Sequence, residues 1–298
     1  VRSLFADTLQ MSAKEVEKKI PRELGVALGS SSFTPIQLTQ MYAAMLNRGE
    51  RVEPRDLLRI EDNQGRQIWE APEPPSPQRV MDPAAAYVTL TIMQAVVDNG
   101  GTAAYALKSL RNADGMWYFD VAGKTGTTSK YVDAWFVGLV SDEATVMWVG
   151  NDNNTTLGAG RSGSGLCAPR FADYIRATRM NDRPKPFAEV FDQTNIVRRS
   201  FCSSTGLLSR FPGSCEDEVK DQAFIRGTEP TEFDPSGMPP EEPSPPIDPN
   251  APTNESNPPP EGGESFQNPL DDTNVSPTKK RESNTQKPKI LEESGNHL

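Results

Sequence analysis

Three stretches of the chain carry apolar residues at helical spacing, each opened by a proline at the first helical position. Thr34-Pro35 leads into "IQLTQMYAAMLNRG", where Ile36, Leu38, Met41, Tyr42, Met45 and Leu46 fall on one side and Gly49 closes the run. Asp82-Pro83 opens "AAAYVTLTIMQAVVDNGG", expected to run to Gly100-Gly101. Pro169 opens "RFADYIRATRM", although Ala168 is a poor cap. Between the first two, "DLLRIEDNQGRQIWE" has two alternating runs around Asp62-Asn63-Gln64-Gly65 and predicts a hairpin. Strands are expected in "MWYFDVAG", "AWFVGLV" and "ATVMWVG". Only Ser141-Asp142-Glu143 joins the last two, too short for anything but an antiparallel connection. The fold class is therefore α/β of the α+β type: an antiparallel sheet flanked by helices, without βαβ alternation or internal repeats.

Composition changes this picture at the C-terminal end. Only 35% of the 298 residues are apolar, against about half in globular domains. From Glu229 onward there are 14 acidic and 5 basic residues, so this part carries −9 of the total −10, together with 15 of the 27 prolines. Residues 231–298 are expected to be a disordered, Pro-rich acidic tail, since too few apolar side chains are present to offset the entropy of ordering it. Its Lys279-Lys280-Arg281 cluster reads as solvated charge. No run reaches the roughly 18 apolar residues of a membrane helix, and no signal-peptide pattern opens the chain. Cys167, Cys202 and Cys215 lack metal-ligand spacing and the single histidine, His297, lies in the tail, which argues against zinc chemistry and histidine-based catalysis.

The segment "VAGKTGTTSKYVDAWFVG" concentrates the candidate chemistry. A phosphate loop, G-x-x-x-x-G-K-[ST], would need glycine where Tyr118 stands, and glycines are what let backbone N–H groups wrap a phosphate. An exposed turn is a fair alternative. Yet Lys124 and the hydroxyls of Thr125, Thr127 and Thr128 gather at a strand end, with Gly126 removing bulk between them. Such a set suits an anionic peptide terminus lying along a strand edge.

This segment resembles the third active-site motif of penicillin-binding proteins, the Lys-Thr-Gly signature shared with serine β-lactamases, and "DAWFVG" is similar to the class A, bifunctional subgroup. "ALGSSSFTPIQLTQMYAAMLNRG", "VVDNGGTAAYA", "STGLLS" and "FIRGTEPT" resemble further segments of that subgroup in the same order, covering most of residues 1–230. The resemblance implies acyl transfer: a serine attacks the penultimate D-Ala of a peptidoglycan stem peptide, releases D-Ala, and the acyl group passes to an amine of a neighbouring stem. β-Lactams acylate the same serine. It implies that Lys124 supplies charge to the cleft, Thr125 and Thr127 bind the substrate carboxylate with Thr128 beside them, and the Thr127 N–H is an oxyanion donor. Gly123 and Gly126 would permit close backbone approach.

The family's Ser-x-x-Lys nucleophile and Ser-x-Asn motifs should both precede Lys-Thr-Gly. Among the 23 serines, Ser-x-x-Lys occurs only at Ser276 to Lys279 and Ser-x-Asn only at Ser294 to Asn296, and chance accounts for both. The opening "VRSLFADTL" resembles the segment that comes just after Ser-x-Asn in that family. The expectation is a C-terminal portion of a transpeptidase domain (residues 1–180), its extension (181–230) and the tail, with the nucleophile, a membrane anchor and a glycan-polymerising domain upstream, and no activity in this piece alone. Partners implied are D-Ala-D-Ala stem peptides, β-lactams and a cell-wall synthesis complex at the outer face of the bacterial cytoplasmic membrane; no cofactor and no nucleic acid are expected. Alternatives are a carboxypeptidase or β-lactamase of the same superfamily, and a non-catalytic stem-peptide or β-lactam-binding module. The compartment also implies a Cys202–Cys215 disulfide, leaving Cys167 free. Asp133, Trp135 and Phe136 read as structural, and "GAGRSGSGLCAPRF" as a connection to the last helix.

Overall fold

The computed structural model describes residues 2–98 and 100–235; all but the first few residues of the expected tail lie outside the described residues. Helices α1 (Arg2–Leu9), α2 (Ala13–Lys19) and α3 (Pro35–Leu46) are followed by a hairpin of β1 (Arg59–Glu61) and β2 (Gln67–Glu70), then helix α4 (Pro83–Gln94). Strands β3 (Ala122–Thr127), β4 (Asp133–Val140) and β5 (Glu143–Gly150) precede helices α5 (Ala168–Arg179) and α6 (Phe187–Val190), and a second hairpin of β6 (Ile196–Cys202) and β7 (Glu218–Ile225).

The helix starts obey the local chemistry. Thr34 Oγ1 accepts from the Gln37 N–H at 3.3 Å while the Gln37 side chain accepts from the Thr34 N–H at 3.1 Å, a reciprocal cap ahead of Pro35. Asp82 takes the Ala85 N–H at 3.0 Å ahead of Pro83. The helix ends track the sequence less closely. α4 stops at Gln94, and a tightened turn with Val96 N to Met93 O and Val97 N to Gln94 O carries Val97 into the core, where it is fully buried. Tertiary packing at Val97, not the later glycine pair, ends the helix. Likewise only Ala44, Met45 and Leu46 of α3 are buried, and Ile36 is 49% exposed.

The antiparallel sheet has the order β3-β4-β5, with Lys124 opposite Val137, Thr125 opposite Phe136 and Thr127 opposite Ala134. Alternation along the central strand divides its side chains between two cores. Val137 and Leu139 join Tyr87, Leu90 and Met93 of α4 with Phe187, Phe191, Ile196 and Ala223. Phe136 and Val140 join Val97, Leu107 and Leu110 with Phe171 and Ile175 of α5. The sheet is thus sandwiched between α3 and α4 on one side and α5 on the other. The expected strand in "MWYFDVAG" begins only at Ala122; Trp117 makes an isolated bridge to Arg111 instead. The strand therefore runs through Lys-Thr-Gly rather than ending before it.

The β6–β7 hairpin docks on α4, with Arg198 donating to the Tyr87 hydroxyl at 2.5 Å and Gln222 to Thr91 Oγ1 at 3.0 Å. The chain remains tied in past residue 231: Leu208 pairs with Glu232 and Asp234 through the backbone, and buried Asp234 accepts from Thr205 Oγ1 at 2.5 Å. A disulfide joins Cys202 and Cys215 across 13 positions. Cross-links of that span stabilise by about 3 kcal/mol. Replacing both cysteines by serine should lower stability by that order in thermal or urea melts, and dithiothreitol should do the same to the wild type. A change below about 0.5 kcal/mol would show the cross-link to be dispensable.

Candidate acyl-transfer cleft

The sheet order leaves one edge of β3 without a strand among the described residues. One hydrogen bond fixes which backbone groups face that edge. The Thr128 N–H donates to Asp133 O at 3.1 Å, so 128 and 133 are a hydrogen-bonded pair, and antiparallel alternation makes 126 with 135 and 124 with 137 the other such pairs. The N–H and C=O groups of Thr125 and Thr127 therefore point away from β4, toward the open edge. Consistent with this, the Thr125 carbonyl accepts from Lys124 Nζ at 2.7 Å.

Side chains alternate across the same strand. Gly123 is buried where a Cβ would lie 2.7 Å from the Phe136 ring and 2.9 Å from Val137 O. Lys124 is exposed, on the other face. Thr125 and Thr127 share the face of Gly123, and both hydroxyls are held from outside the sheet. Thr125 Oγ1 is 2.9 Å from Thr102 Oγ1, on the turn after α4. Thr127 Oγ1 accepts from the Gly163 N–H at 3.1 Å. Gly126 sits against Trp135, where a Cβ would be 3.1 Å from the tryptophan Cβ. Thr128 is engaged differently: its hydroxyl accepts the Asp133 N–H at 2.7 Å and closes the β3–β4 turn, while Asp133 Oδ1 accepts from Trp148 Nε1 at 2.9 Å. Of the six expected site residues, the structure thus places Gly123 to Thr127 along the edge strand and Thr128 in the turn that ends it.

Two contributors lay outside the sequence reading. Thr102 comes after two glycines, and nothing in that pattern signals a partner 23 positions away. Gly163 belongs to the stretch read as a mere connection; it opens a π-helical turn, Gly163–Cys167, leading into α5. A Cβ there would lie 2.0 Å from Trp135 O and 2.5 Å from Gly126 O, so only glycine lets this turn abut the sheet. The fit is completed by Cys167, whose Sγ donates to Ala134 O at 3.1 Å and whose thiol pKa burial pushes up to about 11. The one grouping with metal-ligand atoms among the described residues is Cys202, Cys215 and Asp217, and its two sulfurs are already bonded to each other.

The architecture is an antiparallel sheet between helical layers, with Lys-Thr-Gly-Thr on the edge of β3 that no described strand covers. The family model described as "Penicillin binding protein transpeptidase domain" matches residues 12–176, more than half of the chain, and the chain belongs to that family. It is 34% identical to penicillin-binding protein 1A of Neisseria lactamica over 161 residues, 53% of this chain and 19% of that protein. It is 27% identical to penicillin-binding protein 1A of Pseudomonas aeruginosa over 215 residues, 56% of this chain and 25% of that protein. The crystal structure of penicillin-binding protein 1A from Haemophilus influenzae superposes with a TM-score of 0.60 at 25% identity, covering 72% of this chain and 35% of that one. The chain matches only about a fifth to a quarter of the length of these curated relatives.

Proposed function

We propose that the chain is the Lys-Thr-Gly half of an acyl-serine DD-transpeptidase site in a class A penicillin-binding protein, completed by a serine nucleophile and its base from residues preceding Val1. The single observation that carries this is the open edge of β3, where the outward N–H groups of Thr125 and Thr127 lie beside the exposed Lys124 and two threonine hydroxyls. An extended peptide can add to such an edge through main-chain hydrogen bonds. Its C-terminal carboxylate meets Thr125 and Thr127; the Thr127 N–H receives the oxyanion of the tetrahedral intermediate; Lys124 supplies positive charge as that oxyanion develops. Gly123 and Gly126 let the strand seat closely against Phe136 and Trp135, and Thr128 holds its end. Water in place of the acceptor amine would make the same site a carboxypeptidase or β-lactamase.

No Ser-x-x-Lys precedes Lys124 in these residues, which is why the nucleophile is assigned to another segment. The disulfide supports a position outside the cytoplasmic membrane, where oxidation is the rule. No helix among the described residues is long and apolar enough to cross a membrane, so an anchor would belong to another segment. The test is labelling of the full-length protein with a fluorescent penicillin, followed by mapping of the modified peptide. A covalent adduct on a serine upstream of Val1 is expected, and none on residues 1–298 expressed alone. An adduct within residues 1–298 would overturn the assignment of the nucleophile. No adduct on the full-length protein would leave a non-catalytic binding module.

A further inference from the structure

Thr102 lies outside the Lys-Thr-Gly motif, yet its hydroxyl stands 2.9 Å from that of Thr125. It is exposed, on a turn that is itself fixed: the Gly101 N–H donates to Asp98 O at 2.8 Å and the Ala103 N–H to Val96 O at 2.9 Å, with Ala103 fully buried behind it. In a pair of hydroxyls one donates and the other accepts, so the accepting partner keeps its own proton, polarised and unspent. Thr127 is arranged in the same sense, since its oxygen is already occupied by the Gly163 N–H and its proton is left to donate. We infer that Thr102 is a specificity residue of the cleft, which donates to the Thr125 hydroxyl and so orients it, leaving the Thr125 and Thr127 protons to donate side by side to a ligand carboxylate. The inference rests on the acyl-transfer reading for its ligand, a peptide or β-lactam ending in a free carboxylate.

A Thr102→Val substitution preserves shape and deletes the hydroxyl, and Thr102→Ser restores it. In the full-length protein, Thr102→Val should slow acylation by benzylpenicillin about tenfold, the worth of one hydrogen bond to a charged group. Acylation by its methyl ester, which lacks the anionic carboxylate, should change less than twofold, and Thr102→Ser should recover most of the loss at an unchanged melting temperature. Equal rates for wild type and Thr102→Val with benzylpenicillin, or equal losses for acid and ester, would overturn the inference. If the wild type forms no adduct at all, the acyl-transfer reading fails separately. Thr102 is then judged by non-covalent binding of a D-Ala-D-Ala-terminated peptide against its C-terminal amide. A preference for the free acid that Thr102→Val abolishes supports the inference; an unaltered preference, or none in the wild type, overturns it.

Discussion

Lys124→Ala in the full-length protein should reduce the rate of β-lactam acylation about a hundredfold while leaving the fold intact. The side chain is exposed, and its one hydrogen bond among the described residues, to the Thr125 carbonyl at 2.7 Å, joins it to its own neighbour. Truncating an exposed side chain of this kind changes stability by no more than about 0.5 kcal/mol. The charge is another matter. It sits next to the outward-facing backbone groups of β3, where the proposed acyl transfer would develop negative charge as a carbonyl is attacked. One preorganised charged contact of that type is worth on the order of 3 kcal/mol, or about two decades in rate. Acylation kinetics and a melting curve on the same preparation check both halves. A folded Lys124→Ala protein that is acylated at the wild-type rate would return this stretch to the status of a surface turn.

Phe171→Ala is expected to have the largest effect on stability, a loss of about 3–5 kcal/mol in urea titration. The ring is fully buried, 5.3 Å from that of Phe136, and lies directly over Gly138 of the central strand. A Cβ on Gly138 would come within 2.3 Å of a ring carbon, which shows how closely helix and sheet are apposed here. Deleting the ring removes its apolar contacts and leaves a cavity that the stiff central strand is poorly placed to fill. Domains of this size are stable by only about 5–15 kcal/mol, so the variant should approach the folding threshold. A loss under about 1 kcal/mol would mean that α5 is not a structural support of the cleft wall.

The features legible in the sequence are those that local chemistry decides. The cap-proline pairs Thr34-Pro35 and Asp82-Pro83 start helices where expected, because the first turn needs acceptors for its own N–H groups. The Asp62 hairpin forms because its carboxylate takes the Gln64 and Arg66 N–H groups at 2.8 and 2.9 Å. The short Ser141 to Glu143 link does force an antiparallel pair. Features hidden from the sequence are those that distant residues decide. Val97 is pulled out of helix by a core built from α5. "MWYF" looks extended but supports the sheet from a loop. Strands β6 and β7 raised no expectation, since Arg198-Arg199 interrupts the apolar pattern and 15 residues separate them. In the cleft, the motif marks the strand, while Thr102 and Gly163 reach it only through tertiary folding.

The abutment of the Gly163 turn on the sheet also limits which substitutions the β3 wall can accept. A mutation that bulks up Gly163 forces a carbon to within 2.0 Å of Trp135 O, and one at Gly123 drives it into the Phe136 ring, so both disrupt the wall before they alter ligand choice. The threonine side chains, by contrast, are held by hydrogen bonds rather than by steric enclosure, and serine or alanine fits each position without displacing backbone. If the wall binds β-lactams as proposed above, heritable change in which of them it tolerates is channelled into Thr102, Thr125 and Thr127, and a laboratory lineage passaged against rising antibiotic should accumulate its cleft-wall substitutions there while the two glycines stay fixed.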